Sequence, residues 1–175
     1  MARRPNRAEQ AAIDLLDQFG IHELPIPVDK IAEDLGVSLR YEPLEGGLSG
    51  VLFRDQQGRR VIGVNALHAP VRQRFTIAHE LAHLRLHEDA LYVDGLVRRD
   101  DRSSLALDPQ EIEANSFAAE LLMPRKLVLR ELANSVPKGA VADPAKLLRR
   151  LAREFGVSEQ AMEFRLVNLG VATSF

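Results

Sequence analysis

Residues 79–83 read His-Glu-Leu-Ala-His, and this pentapeptide restricts the chain more than any other stretch of it. Side chains four residues apart lie one turn apart on the same face of a helix, so two imidazoles at this spacing converge on one ion only where the backbone is helical. The chain contains no cysteine, which removes disulfides, thiol catalysis and every zinc site built on thiolates. A metal centre here has to be made of histidine and carboxylate. Glu80 adjoins the first histidine and is expected to act as the base that takes a proton from a metal-held water, whose pKa zinc lowers from about 15.7 towards about 7.

A catalytic zinc takes three protein ligands and leaves the fourth position open. His79 and His83 supply two, and the third must come from elsewhere. His87 lies on the same stripe but one turn farther along, too far for the same ion, so it is expected beside the ligands or at the helix end. Asp108-Pro-Gln-Glu111 reads as the start of a following helix, with Asp108 at the N-cap and Glu111 closing a capping box. That local duty takes Glu111 out of the competition. Glu120 lies almost two turns beyond Glu113, which leaves Glu113, beside the apolar stripe of Ala114, Phe117, Ala118 and Leu121, as the expected third ligand.

With 175 residues, 46% of them hydrophobic and 27% charged, the chain is the size of one globular domain. A formal charge of −2 removes the broad electrostatic case for a general nucleic-acid binder. No apolar run approaches the roughly 20 residues that cross a bilayer, and acids follow the basic N-terminus where a leader would turn apolar, so a cytoplasmic protein without a membrane partner is expected. Helical periodicity and stop signals predict helices over 7–19 and 27–35, then a long one over 70–87 that carries the motif. Further helices are predicted over 109–122, 125–133, 144–155 and 158–168. Three short β-branched or aromatic runs over 37–41, 48–53 and 60–64, separated by Gly-rich turns, predict a small three-stranded antiparallel sheet. The expected class is α+β, with a zincin-like metallopeptidase domain over 1–124 and a C-terminal helical extension over 125–175 packed on it as one structural unit.

Two surfaces invite a partner. The third strand, Arg60, Val61, Ile62, Gly63, Val64 and Asn65, leads directly to the motif helix and is the expected edge for an added substrate strand. Residues 147–166 have the helix, Gly-containing turn and helix of a DNA-binding helix-turn-helix, but Arg165 is the only basic side chain on the second helix, which favours a packing role. Tyr41, Tyr92 and His68 are the available side chains of the kind that could stabilise an oxyanion.

The run Arg72-Gln-Arg-Phe-Thr-Ile-Ala-His-Glu-Leu-Ala-His-Leu-Arg-Leu-His87, followed by Glu111-Ile-Glu-Ala-Asn-Ser-Phe-Ala-Ala-Glu-Leu-Leu-Met-Pro124, resembles the ImmA/IrrE family of metallopeptidases. The segments Pro25-Ile-Pro-Val-Asp-Lys-Ile-Ala-Glu-Asp-Leu-Gly36 and Phe155-Gly-Val-Ser-Glu-Gln-Ala-Met-Glu-Phe-Arg-Leu166 extend the likeness to roughly residues 8–170. The resemblance implies a minimal gluzincin in which His79, His83 and Glu113 bind one Zn2+, or Mn2+ or another divalent ion in its place, and Glu80 is the base. It implies an endopeptidase that cuts helix-turn-helix repressors and so releases stress-response genes. Larger gluzincins carry, four residues after the ligand glutamate, an aspartate that orients a ligand histidine; counted from Glu113 that place is Phe117, and Asn115 lies about 200° around the helix. The competing expectation is a metal-stabilised regulator without catalysis that acts by protein contact alone.

Overall fold

The computed structural model of the protein describes residues 4–87, 108–135 and 143–171. The expected loop over 89–107, with Tyr92, and most of the connection between 134 and 143 lie outside those residues. Asn6 starts helix α1 (Arg7–Gln18) by a reciprocal capping box: its side chain accepts from the Glu9 N–H, and its own N–H donates to the Glu9 carboxylate. Ala8, Ala12, Leu15 and Leu16 then form the buried stripe of that helix. Helix α2 (Val28–Asp34) buries Val28, Ile31 and Ala32 and leads into strand β1 (Val37–Glu42). Strands β2 (Gly50–Arg54) and β3 (Arg60–Asn65) form a hairpin around Asp55, whose carboxylate accepts the Gln57 and Arg59 N–H groups.

The sheet is mixed, not antiparallel throughout: its order is β1-β3-β2, with β2 antiparallel and β1 parallel to β3. A simple antiparallel meander would place β1 beside β2. Here the chain passes over and pairs β1 with the other side of β3, Leu39 opposite Ile62 and Tyr41 opposite Val64. β3 is thereby the central strand, with Val61 to Asn65 buried in an unbroken row. The expectation that β3 offers an edge to a substrate is overturned, because its backbone is already paired on both sides. Asn65, one of the expected substrate residues, is instead a clamp. Its amide donates to Leu48 O at 2.8 Å, its side-chain oxygen accepts from the Leu67 N–H, and its backbone carbonyl accepts from Gln73, which ties the turn before β2 to the first turn of the next helix.

That helix, α3 (Pro70–Leu86), starts at a proline and runs through the core with Ile77, Ala78, Leu81 and Ala82 buried. It packs against the sheet, against α2 and most extensively against α4 (Pro109–Leu122). Helices α5 (Arg125–Ser135), α6 (Pro144–Phe155) and α7 (Glu159–Asn168) complete the described chain. Leu151, Phe155, Met162 and Leu166 from α6 and α7 belong to the same hydrophobic cluster as Leu15, Ile31, Ile62, Leu81 and Phe117. α6 ends at Gly156 in the left-handed region, φ +64°, where a Cβ would sit 3.0 Å from Arg74 Nε. Arg74, half-buried on α3, donates from Nε to Gly156 O at 3.1 Å and from Nη2 to Ile26 O at 2.8 Å, joining three distant segments at one guanidinium.

Candidate metal centre

α3 presents His79, His83 and His87 along one stripe, and α4 crosses it with its first turn against the two N-terminal members. Asp108 caps α4 by accepting from the Gln110 N–H. The Glu111 carboxylate reaches across the interface to the histidines of α3. Its Oε2 lies 3.2 Å from His79 Nε2 and its Oε1 lies 3.4 Å from His83 Nε2, while the two Nε2 atoms are 3.1 Å apart. In a tetrahedral site with metal–ligand bonds of about 2.0–2.1 Å, ligand atoms stand about 3.3 Å from one another. The Glu111 distances are to its two different oxygens, and one donor atom from each of His79, His83 and Glu111 lies within 4.8 Å of the others, so the donor set suits a divalent ion.

Glu113, the glutamate favoured on sequence grounds, is turned away from this convergence. It lies against His87, with Oε2 2.9 Å from His87 Nε2 and 3.4 Å from Arg7 Nη1. The physical reason is the rotation of α4 about its axis: two residues along a helix swing a side chain by about 200°, and the face that packs on α3 near His79 is that of Glu111. Moving the third position by two residues also moves its partner four residues on, from Phe117 to Asn115. Asn115 Oδ1 is 3.1 Å from His79 Nδ1, so the side chain dismissed from the sequence holds the first histidine by its outer nitrogen. Phe117 is fully buried in the core. Glu120 is buried too, in an ion pair with Arg165, and its Oε1 accepts from the Arg125 N–H.

His87 is the C-cap residue of α3, its N–H bonded to His83 O at 3.0 Å, and its Nδ1 lies 3.1 Å from His83 Nδ1. Glu80 is buried on the sheet side of the helix next to β2. A residue that sequence reasoning passed over makes that approach feasible: a Cβ on Gly50 would lie 2.2 Å from Thr76 Cγ2 and 3.7 Å from Glu80 Cγ. A glycine inside a strand was the available signal, since it often marks close passage of another element. Among the described residues β2 pairs on one side alone, with β3.

The oxyanion candidates are engaged elsewhere or left open by the structure. Tyr41 sits on β1, separated from β2 by the central strand, and donates to Asp29 at 2.8 Å; its burial, then that bond and the nearby Asp29 and Glu33 charges, push the phenol up to about 12. His68 lies between β3 and α3, where burial and then the charge of Arg72 hold the imidazole below its usual range. The second helix of the helix-turn-helix-like pair has its single arginine inside the protein: Arg165 is 5% exposed, paired with Glu120 and donating from Nε to Met123 O.

Comparison with known proteins agrees with this fold. The profile of the Peptidase_M78 family, described as the IrrE N-terminal-like domain, matches residues 32–167. The radiation response metalloprotease IrrE of Deinococcus deserti is 34% identical over 134 residues, spanning 75% of this chain and 43% of that protein. IrrE of Deinococcus radiodurans is 36% identical over 115 residues, 63% of this chain and 33% of that protein. Among solved structures, a Mycobacterium tuberculosis transcriptional regulator shares the fold with a TM-score of 0.59 at 21% identity, covering 91% of this chain and 46% of that one. The chain thus spans less than half the length of these relatives. It belongs to the ImmA/IrrE metalloprotease family, through the IrrE N-terminal-like domain.

Proposed function

We propose that the protein is a zinc-dependent endopeptidase that makes a restricted cut in a protein, a helix-turn-helix transcriptional repressor, in the cytoplasm. The observation that carries this reading is the convergence of one donor atom each from His79, His83 and Glu111 to within 4.8 Å of one another, with Glu80 next to the first histidine on the same helix. A purely structural ion has no use for a base beside its ligand. When bound, zinc supplies polarisation of the scissile carbonyl and a water acidic enough to lose its proton near neutral pH, and manganese is the main competitor for the same donors. Glu80 takes that proton and delivers it to the departing amide nitrogen.

The substrate is held as an extended segment along the side of β2 that has no strand partner among the described residues, with Gly50 bringing that strand down to the motif helix. The family resemblance supports a repressor as the protein that is cut. The interior position of Arg165 weighs against direct DNA binding by residues 147–166. The decisive experiment is Glu80→Gln in a cleavage assay with purified repressor. Metal content and fold are expected to stay as in the wild type while the rate falls by about 10²–10⁴-fold, the usual contribution of a general base. A variant that keeps its regulatory effect in cells without cutting would instead make the protein a contact regulator.

A further inference from the structure

Resting on the protease reading above, we infer that Arg72 sets substrate specificity: its guanidinium receives an acidic side chain of the bound segment, Asp or Glu, about two to four residues from the bond that is cut. Each residue of a helix turns it by about 100° and lengthens it by about 1.5 Å. Arg72 comes seven positions before His79 and eleven before His83, so it falls within about 20° of both and about 10 Å nearer the start of α3 than His79. It therefore stands on the stripe of the two histidines, two turns ahead of the first. Its side chain leans towards the entry of β2, where Nη2 donates to Ser49 Oγ at 2.8 Å and Nε donates to the same oxygen at 3.3 Å. Ser49 is itself held, because its carbonyl accepts from the Asn65 N–H at 2.9 Å. The next residue, Gly50, is where β2 meets α3 at Thr76, whose hydroxyl donates to Arg72 O. A segment extended along the side of β2 without a strand partner, and over His79, passes this guanidinium. At about 3.3 Å per residue, 10 Å is about three residues of such a segment.

The charge of Arg72 is not matched within the described protein. Arg7 faces Glu113, Arg165 is paired with Glu120, and Arg74, half-buried two positions on, spends its donors on two carbonyls. Arg72 is exposed, and its bonds among the described residues go to a neutral hydroxyl. Ser49 takes up Nε and one Nη2 hydrogen, which leaves Nη1 and the other Nη2 hydrogen for a second acceptor. A carboxylate matches that fork with two parallel bonds, and the serine holds the fork in place before the substrate arrives.

The test uses the full chain loaded with zinc and a library of random-sequence peptides, with cut sites read by mass spectrometry. Wild-type cut sites are expected to be enriched about two- to fivefold in Asp and Glu at one position two to four residues from the scissile bond, the effect of an exposed ion pair. Arg72→Glu is expected to replace that preference with one for Lys and Arg at the same position, and Arg72→Lys to keep part of it. Arg149→Glu makes the same change of charge at an exposed place on α6 and is expected to cut like the wild type. Thermal unfolding checks that each variant is folded. The four proteins are also made with Glu80→Gln, immobilised with zinc, and the peptides they retain are sequenced, which reads recognition without turnover. Wild-type cutting without acidic enrichment would overturn the inference alone, and so would a shift in preference shared equally by Arg149→Glu. If no peptide is cut but the retained peptides still exchange acid for base with Arg72→Glu, the protease reading fails and the recognition by Arg72 stands. Neither cutting nor retention of any peptide would overturn both.

Discussion

Replacing Gly50 by alanine brings a methyl group to within 2.2 Å of Thr76 Cγ2, and Thr76 cannot swing aside freely because its hydroxyl donates to Arg72 O. Gly50→Ala is expected to destabilise the protein by about 1–3 kcal/mol, the usual cost of overpacking, and the added change Thr76→Ser to recover part of it; urea unfolding of the three proteins checks this. At Tyr41 the folded pKa of about 12 stands above the ordinary value near 10, so the native state keeps a proton that the unfolded chain loses between those values. Stability is therefore expected to fall as pH rises through that window, and less so in Tyr41→Phe; phenolate absorbance in a Tyr92→Phe background follows the titration directly. Single residues were legible where one short motif fixes the geometry, as at His79 and His83, whose ring nitrogens converge. They were not legible at the third position, because Glu111 and Glu113 are both acids in the first turns of α4 and a plausible capping duty claimed the first. Which of the two faces α3 depends on the rotation of one helix against another, which no local pattern encodes.

Helices were the readable elements, and the reasons are visible at their ends. Pro70, Pro109 and Pro144 each stand in the first turn of a helix, Asp108, Asp143 and Ser158 cap three starts, and Gly156 stops α6. The sheet was readable as three strands but not as an order, since β1 can reach either side of the β2–β3 hairpin with similar local sequence. The run Val61-Ile-Gly-Val64 did hold a hint: near-continuous apolar residues mark a strand covered on both faces, not an exposed edge. Between elements, the buried pair of Arg165 on α7 and Glu120 on α4 ties the last helix to the one that bears Glu111. Arg165→Met alone is expected to cost about 3–5 kcal/mol because it strands a buried carboxylate, while Arg165→Met with Glu120→Leu recovers most of that. Thermal unfolding of the two variants and Glu120→Leu measures the coupling.

For the molecule as a whole, removing the metal is expected to lower the melting temperature without unfolding the chain. The core gathers apolar side chains from all seven described helices and from the sheet, independently of any ion. Far-UV circular dichroism with and without chelator checks the fold, and stabilisation by added zinc should follow saturation, about 2.7 kcal/mol at a hundredfold excess over Kd. Truncation after Pro124 is a different matter. It deletes Leu151, Phe155, Met162 and Leu166 from that core, each worth about 1.5–3 kcal/mol, a sum comparable with the whole stability of a domain this size. Residues 1–124, although they include every side chain of the candidate site, are expected to be insoluble or unfolded when expressed alone, as a proton–nitrogen spectrum would reveal.

Arg74 gives this dependence a direction in time. Its guanidinium stands on the helix of the histidines, yet one of its two carbonyl partners, Gly156, lies 82 positions later in the chain. On a ribosome the ligand-bearing residues emerge well before that carbonyl and Phe155 beneath it. The nascent chain therefore displays the candidate site residues while the scaffold that packs behind them is still inside the exit tunnel. A site assembled in this order is completed only once synthesis has passed α6.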